Sequence, residues 1–567
     1  MYTPVHELVA ARARSAPGRV AIVHQGTALT YGALHTRAQR LARQLVARGV
    51  GPETAVGVFL DRSPEFVLTA LGVLHAGGAY VPLDPAYPPD RPAFMPAATS
   101  IVITTSELAD RLPPGTRVLT LDADGPVAPG PLPAVHPENL AYTMVTSGST
   151  GVPRGVSVRH AGITRLVRDP SYVRLTEEET VLHASPVSFD AATFEIWGAL
   201  AGGARLVVAP AGPQSAADLG ALLRTERVTT AFFTTGLFHL LVDECLPDLA
   251  GLRQVLVGGD VLSPTHARAF VRALPATRLI NAYGPTEVTT FTTSHHVALR
   301  WGEGIPIGRP IDDTWIRILD DDLQPTGTGH LYAGGAGLAR GYHGDPALTA
   351  ERFIPDPYGT GERLYATGDL ARLLPSGAIE FLGRADQQIK RRGFRIEPGD
   401  IEEALRTDPR VRDAAVIASG TGAEHKILTA CVVLDAPAPD LRERLRERLP
   451  DYLMPDRWAV LDALPLNPSG KVDRAALATV ATRPELAAGA GPVGELESAI
   501  AAIWGELFEV ERVGRHDDFF DLGGHSLLAS RMSTRLRRTL GSAVPVRAIF
   551  DHPTVAELAE HIRCDEP

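Results

Sequence analysis

Lysine is almost absent from this chain. Of the 55 basic residues among 567, only Lys390, Lys426 and Lys471 are lysine, and the other 52 are arginine. An ammonium is a compact point charge and a guanidinium a planar fork, so each retained lysine is a candidate for work that arginine cannot do. Cysteine is as scarce. Cys245, Cys431 and Cys564 stand far apart, which argues against a disulfide scaffold or a paired-cysteine metal site and fits a reduced, cytoplasmic setting. A basic excess is missing too. The net charge of −11 argues against a broad nucleic-acid face. No run reaches the roughly 18 to 20 apolar residues of a membrane helix, and Arg12 and Arg14 break up the opening stretch that a signal peptide would need. Residues Met1 to Ala16 read instead as a short amphipathic helix.

What remains is a globular pattern. With 44% hydrophobic and 21% charged residues, disorder and collagen are excluded. The length suggests about three or four folding units at roughly 150 residues each. From Val20 to Ala385, apolar runs such as A-V-G-V-F-L (Ala55 to Leu60) and R-Q-V-L-V-G-G (Arg253 to Gly259) alternate with helical stretches, which predicts α/β layers with largely parallel sheets. Gly304 to Gly383 is richer in glycine, proline and short strand-like runs and predicts a β-rich section. A compact α+β unit follows. Residues 478–494, rich in Ala, Gly, Pro and Thr, read as a linker. The period from Glu495 to the end is helical, a unit too small for a large core.

Two strings carry chemistry. T-S-G-S-T-G-V-P-R-G, Thr146 to Gly155, follows a strand-like run. Its glycines and hydroxyls leave backbone N–H groups free to wrap phosphate oxygens, and Arg154 adds charge. It is not a Walker loop, because Pro153 stands where the second glycine belongs. D-D-F-F-D-L-G-G-H-S-L-L, Asp517 to Leu528, puts Ser526 at the start of a helix, where the positive end suits a phosphodiester. Ser526 alone would read as an N-cap.

The first string resembles the phosphate loop of the adenylate-forming superfamily, in particular the adenylation domains of nonribosomal peptide synthetases. Further motifs of that family stand in order: H-A-G-G-A-Y-V-P-L-D from His75, F-D-A-A-T-F-E-I-W from Phe189, N-A-Y-G-P-T-E from Asn281, Y-A-T-G-D-L from Tyr365, G-R-A-D-Q-Q-I-K-R-R-G-F-R-I-E from Gly383 and N-P-S-G-K-V-D-R from Asn467. The second string resembles the attachment site of peptidyl carrier proteins. The resemblance implies an adenylation domain with a large N-terminal subdomain (1–385) and a small mobile α+β subdomain (386–477), then a linker (478–494) and an all-α four-helix carrier domain (495–567).

It also implies roles. Thr146, Ser147, Gly148, Ser149, Thr150, Gly151 and Arg154 are expected over the phosphates of ATP. Asn281, Ala282, Tyr283 and Gly284 are expected beside the nucleotide, Asp369 and Arg384 at the ribose, and Thr286 and Glu287 at phosphate and Mg²⁺. Lys471 matches the lysine that bridges substrate carboxylate and α-phosphate, and Asp386 the hinge. Gly393 and its neighbours are expected along the thiol's entry. Asp190 matches the carboxylate that pairs with a substrate α-ammonium. Ala191, Phe194, Phe232, Leu256, Gly258, Ala282, Thr290 and Phe291 match the side-chain pocket, Phe232, Leu256 and Gly258 on a looser alignment. That set is apolar or small apart from Thr290, which points to isoleucine or valine, because an unpaired polar group would be costly there. Ser526 is expected to carry 4′-phosphopantetheine.

Departures from the family pattern are arginine rather than lysine at Arg154 and a more basic turn at Arg391 and Arg392. No H-H-x-x-x-D-G condensation motif and no G-x-S-x-G elbow occurs. The expectation is a free-standing adenylation–carrier didomain. Its partners would be a phosphopantetheinyl transferase and a downstream condensation or tailoring enzyme acting in trans, with room for a small activator of the MbtH-like kind. Neither nucleic acid nor membrane is expected as a partner.

Overall fold

The computed structural model describes residues 2–565 apart from 86–98, 123–129, 147–153, 300, 302–303, 386–387, 392–393, 421–425, 466–471, 481–489, 509, 521, 525 and 542–543. The α/β expectation for the first part holds. Two sheets have parallel centres. In one, strands Arg278–Tyr283, Gln254–Gly258, Thr230–Thr234, Thr180–His183, Arg205–Val208 and Val20–His24 run side by side and parallel. In the other, the centre is Leu140–Thr146, Ala79–Leu83, Ala55–Phe59, Ile101–Thr104 and Val118–Thr120. Helices cover the faces, so central strands such as Gln254–Gly258 and Ala79–Leu83 are buried at every residue, as continuous apolar runs predict. Local chemistry sets helix starts. Ser63 accepts from the Phe66 N–H at 3.1 Å and Pro64 follows it; Ser263 and Pro264 repeat the device. The glycine-rich section forms a five-stranded antiparallel sheet around the long strand Arg363–Leu373.

Four histidines meet where the opening helix Val5–Ser15 packs on its neighbours. His6 lies on that helix, His35 on Tyr31–Val46, His75 at the end of Pro64–His75 and His160 at the start of His160–Val167. Ring centroids are 5.1 Å apart for His6–His75, 5.3 Å for His6–His160 and 5.1 Å for His35–His75. His6, His75 and His160 are buried, and His160 has neither ring nitrogen hydrogen-bonded among the described residues. The rings do not converge as metal ligands would. Burial pushes the imidazoles of His6 and His160 down to about 3 and that of His75 to about 2, with neighbouring rings acting the same way on His6 and His75, and Arg43 on His75.

The small unit is a hairpin, Ile389–Arg391 with Phe394–Ile396, and a three-stranded sheet of Val411–Ser419, Ile427–Leu434 and Arg457–Val460. Along Ile427–Leu434 alternate residues serve opposite faces. Ala430 and Val432 join the cluster that holds Phe394 and Tyr452, whereas Cys431 and Val433 join the one that holds Leu464 and Val472. Helix Arg474–Val480 runs past residue 477, because Leu477 is fully buried in that second cluster.

The last part is four helices, Gly494–Phe508, Ser526–Leu540, Val546–Asp551 and Val555–Asp565, packed on Trp504, Phe519, Met532 and Leu558. No helix among the described residues is long and apolar enough to cross a membrane.

Candidate active site and carrier docking

One cavity opens at the carboxyl ends of the parallel strands, where Thr234, Gly259, Tyr283 and Gly284 emerge. Strand order makes this the place where loops diverge and leave a cleft. The small unit closes it with Gln388, Lys390, Phe394 and Tyr452.

Asp369 organises one side. It is 2% exposed, its Oδ1 accepts from Arg384 Nη1 at 2.7 Å, and its Oδ2 accepts from the Tyr283 hydroxyl. Lys390 Nζ stands 3.8 Å from Oδ2, and 5.0 and 5.4 Å from the ring centroids of Tyr283 and Phe381. A carboxylate has about four lone-pair sites, so Asp369 can still accept from a vicinal diol. Burial and the adjacent Asp369 charge push the Tyr283 phenol well above its usual range, so it is a donor at every working pH.

Asp190 organises the other side, at the start of helix Ala191–Gly202. Enclosure by the protein pushes its carboxyl up to about 6; a hydrogen bond with Thr286 opposes this and the Glu287 charge adds to it. Such a group gains most from a cation brought to it. Glu287 itself is fully buried and accepts from the Tyr342 hydroxyl at 2.8 Å.

The same cavity has an apolar part. Ala191, Phe232, Ala282, Thr290 and Phe291 line the cavity, as do Thr146, Asn281, Gly284, Thr286, Asp369 and Arg384. Phe194, Leu256 and Gly258, expected in the pocket, do not line it. Phe194 lies behind Phe291, ring to ring at 5.2 Å. Leu256 sits between Phe232 and Ile280 in strand register and is fully covered. Gly258 pairs with Ala282 so closely that a Cβ would stand 2.4 Å from the Ala282 carbonyl oxygen. All three shape the wall from behind. Arg154 begins the strand Arg154–Arg159 and places its guanidinium 6.0 Å from the Tyr342 ring centroid, outside the lining. Ser147, Gly148, Ser149, Thr150, Gly151, Lys471, Asp386 and Gly393 lie outside the described residues, and Ser526 is described only as the first residue of its helix.

Several positions at or behind the cavity wall were not named as site residues by the sequence reading. Lys390 is one, although the scarcity of lysine was a signal for it. Arg165 is another. It is 3% exposed and donates to the carbonyls of Phe291 and Val288 at 2.7 Å each. Burial pushes its guanidinium down to about 10. It holds a turn in which Thr289 and Thr290 both have left-handed backbone, φ 54° and 67°, a conformation that β-branched residues rarely adopt.

The helix that begins with Ser526 docks on the large unit. Arg531 reaches Asp243 at 2.9 Å and Arg537 reaches Asp218 at 2.8 Å, while Arg531 and Arg535 approach Glu244 at 3.5 and 3.6 Å. Leu527 packs on the apolar cluster of the large unit beneath them. Arg446 of the small unit lies 4.6 Å from the Phe520 ring centroid.

Comparison with known proteins gives three family matches: AMP-binding enzyme over residues 9–343, AMP-binding enzyme C-terminal domain over 400–471, and phosphopantetheine attachment site over 498–562. The chain is similar to two polypeptides of the linear gramicidin synthase of Brevibacillus parabrevis, 45% identical over 98% of its length to one and 44% over 96% to the other. It spans 7% and 11% of the length of those two relatives. Among solved structures it is similar to holo-PA1221, an NRPS protein containing adenylation and PCP domains bound to a vinylsulfonamide inhibitor. The TM-score is 0.85, with 32% identity over 99% of this chain and 97% of that one.

Proposed function

Because this chain belongs to the AMP-binding enzymes and carries a phosphopantetheine-attachment module, as nonribosomal peptide synthetases do, we propose that it activates isoleucine or valine with ATP and loads it on its own carrier. The observation that carries the amino-acid reading is Asp190. Its carboxyl, raised to about 6 by enclosure, lines the same cavity as the apolar Ala191, Phe232 and Phe291. An α-ammonium is the cation that fits there while an aliphatic side chain occupies the space beside Phe232 and Phe291. One methylene is worth only about 1–3 kcal/mol in such a pocket, so the two amino acids are separated weakly.

In the first step the substrate carboxylate attacks the α-phosphorus, the Pα–O–Pβ bond breaks and pyrophosphate leaves. Asp369 holds the ribose hydroxyls, and the Tyr283 donor and the Arg384 cation keep that carboxylate in place. Thr286 and Glu287 are the residues that would hold Mg²⁺ against the phosphates, and Ser147, Ser149, Thr150 and Arg154 would cover those phosphates. Lys471 supplies the fixed charge that the developing oxyanion needs, an effect worth about 10²–10³ in rate for a single group.

In the second step a thiolate attacks the acyl carbon, the C–O bond to phosphate breaks and AMP leaves. Ser526 fits the role of attachment point, since it opens a 15-residue helix whose positive end favours a phosphodiester. Once attached there by a phosphopantetheinyl transferase, the phosphopantetheine arm supplies that thiol.

The two steps need different arrangements of the small unit. The hairpin and Tyr452 face the cavity here, while Val472, next to Lys471, packs on the far face of the small sheet. This supports reading the arrangement as the one for thioester formation, with Asp386 as the hinge and Gly393 at the thiol's entry. The loaded amino acid then passes to a condensation or tailoring unit beyond these 567 residues, and an MbtH-like activator belongs to the same proposal.

Intact mass of the pantetheinylated protein after incubation with ATP, Mg²⁺ and single amino acids tests the whole reading. A gain matching isoleucine or valine is expected. A gain with a charged or aromatic amino acid alone would remove the pocket assignment, and no gain with any would remove the loading step.

A further inference from the structure

Two of the three lysines meet at the seam between the small unit and the large one. Lys426 directly precedes Ile427–Leu434, the central strand of the small sheet, and its Nζ stands 3.5 Å from Asp260 Oδ2 across the seam. The same Nζ donates to the Lys390 carbonyl at 2.6 Å, and Arg391 Nε donates back to the Lys426 carbonyl at 3.2 Å. Lys426 is thereby fixed to the hairpin that closes the cavity. Asp260 is fixed to the other side: its carbonyl accepts from Thr235 Oγ1 at 2.9 Å, and its Oδ1 accepts from the Val261 N–H at 2.8 Å. Its side chain is 4% exposed, and Oδ2 has no hydrogen bond among the described residues. A carboxylate this covered depends on the cation opposite it.

We propose that Lys426 and Asp260 form an orientation-selecting ion pair, a contact that holds the hairpin over the cavity for thioester formation and is broken when the small unit turns for adenylation. The inference rests on the two-arrangement reading above. Lys426 lies outside the cavity lining, so its charge can be removed without touching the nucleotide site. Lys426 is a positioning residue: it acts through the placement of Lys390 and Phe394.

The test uses the full chain with Lys426→Gln and Lys426→Arg. Pyrophosphate release reports adenylation, single-turnover mass gain reports transfer, and amide hydrogen exchange reports closure over residues 389–396. Lys426→Gln is expected to slow transfer about tenfold, leave pyrophosphate release unchanged and speed exchange in the hairpin. Lys426→Arg is expected to restore transfer to within about twofold. Unchanged hairpin exchange in Lys426→Gln would overturn the proposal, as would an equal fall in both half-reactions. Should the wild-type chain activate no amino acid, the functional reading fails, and hairpin exchange alone still decides the ion pair.

Discussion

Acid should loosen the large unit through its histidine cluster. His6, His75 and His160 hold imidazoles at about 3, 2 and 3 in the folded protein, against about 6.5 in an unfolded chain. Their folded values are depressed, so the unfolded state binds more protons. The stability they contribute is complete well above pH 6.5 and is lost as pH falls from there toward 3. At pH 5.5 each group favours the unfolded state by about 1 kcal/mol, and the three together by a few kcal/mol, a sizeable part of a typical folding free energy of about 5–15 kcal/mol. His35, lowered by burial and by Arg14, adds in the same direction. Carboxylates also titrate in this range, so the informative quantity is a difference. We expect His75→Met, which removes one titrating ring and keeps an apolar side chain in its place, to lose about 1 kcal/mol less than wild type between pH 7.5 and 5.5. Urea unfolding followed by tryptophan fluorescence reads this, since Trp197 is fully buried in the same core. Parallel losses in variant and wild type would refute the reasoning.

Three further outcomes are expected. Ser526→Ala should keep amino-acid-dependent pyrophosphate release and show no covalent gain by intact mass; a surviving gain would mean another acceptor. If Asp190 pairs with the α-ammonium as proposed, the KM for the amino acid should rise as pH falls through about 6, where its carboxyl protonates, and Asp190→Asn should show a raised KM without that pH dependence in steady-state kinetics. Lys471→Ala should cut adenylate formation by about 10²–10³ yet still transfer a preformed adenylate, measured in single turnover; equal losses would remove the support for two arrangements.

The motifs made much of the site legible. Asp190, Thr286, Tyr283 and Asp369 occur in short strings, and the structure gathers all four around one cavity. Parallel layers followed from buried apolar runs such as Gln254–Gly258. What spacing could not show was depth. Phe232 and Leu256 are paired neighbours on adjacent strands, yet only Phe232 reaches the cavity. Orientation between units was equally hidden, because Lys390 on the hairpin of the small unit meets Asp369 on a strand of the large one. The histidine cluster draws its members from four helices, and no local pattern announces it.

The turn at Thr289 and Thr290 has a consequence for how the pocket can change over generations. Non-glycine backbone in this region costs about 1–3 kcal/mol per residue, and Arg165 holds the turn there through the carbonyls on either side. Thr289 is further pinned by its hydroxyl donating to the Gly337 carbonyl at 2.6 Å. A new side chain at 290 or 291 therefore alters both the shape of the wall and the energy of the conformation that presents it. Glycine at 289 would relieve strain and release the wall, so variants selected for robustness should drift toward promiscuity, and newly selective ones should need a compensating gain elsewhere in the fold.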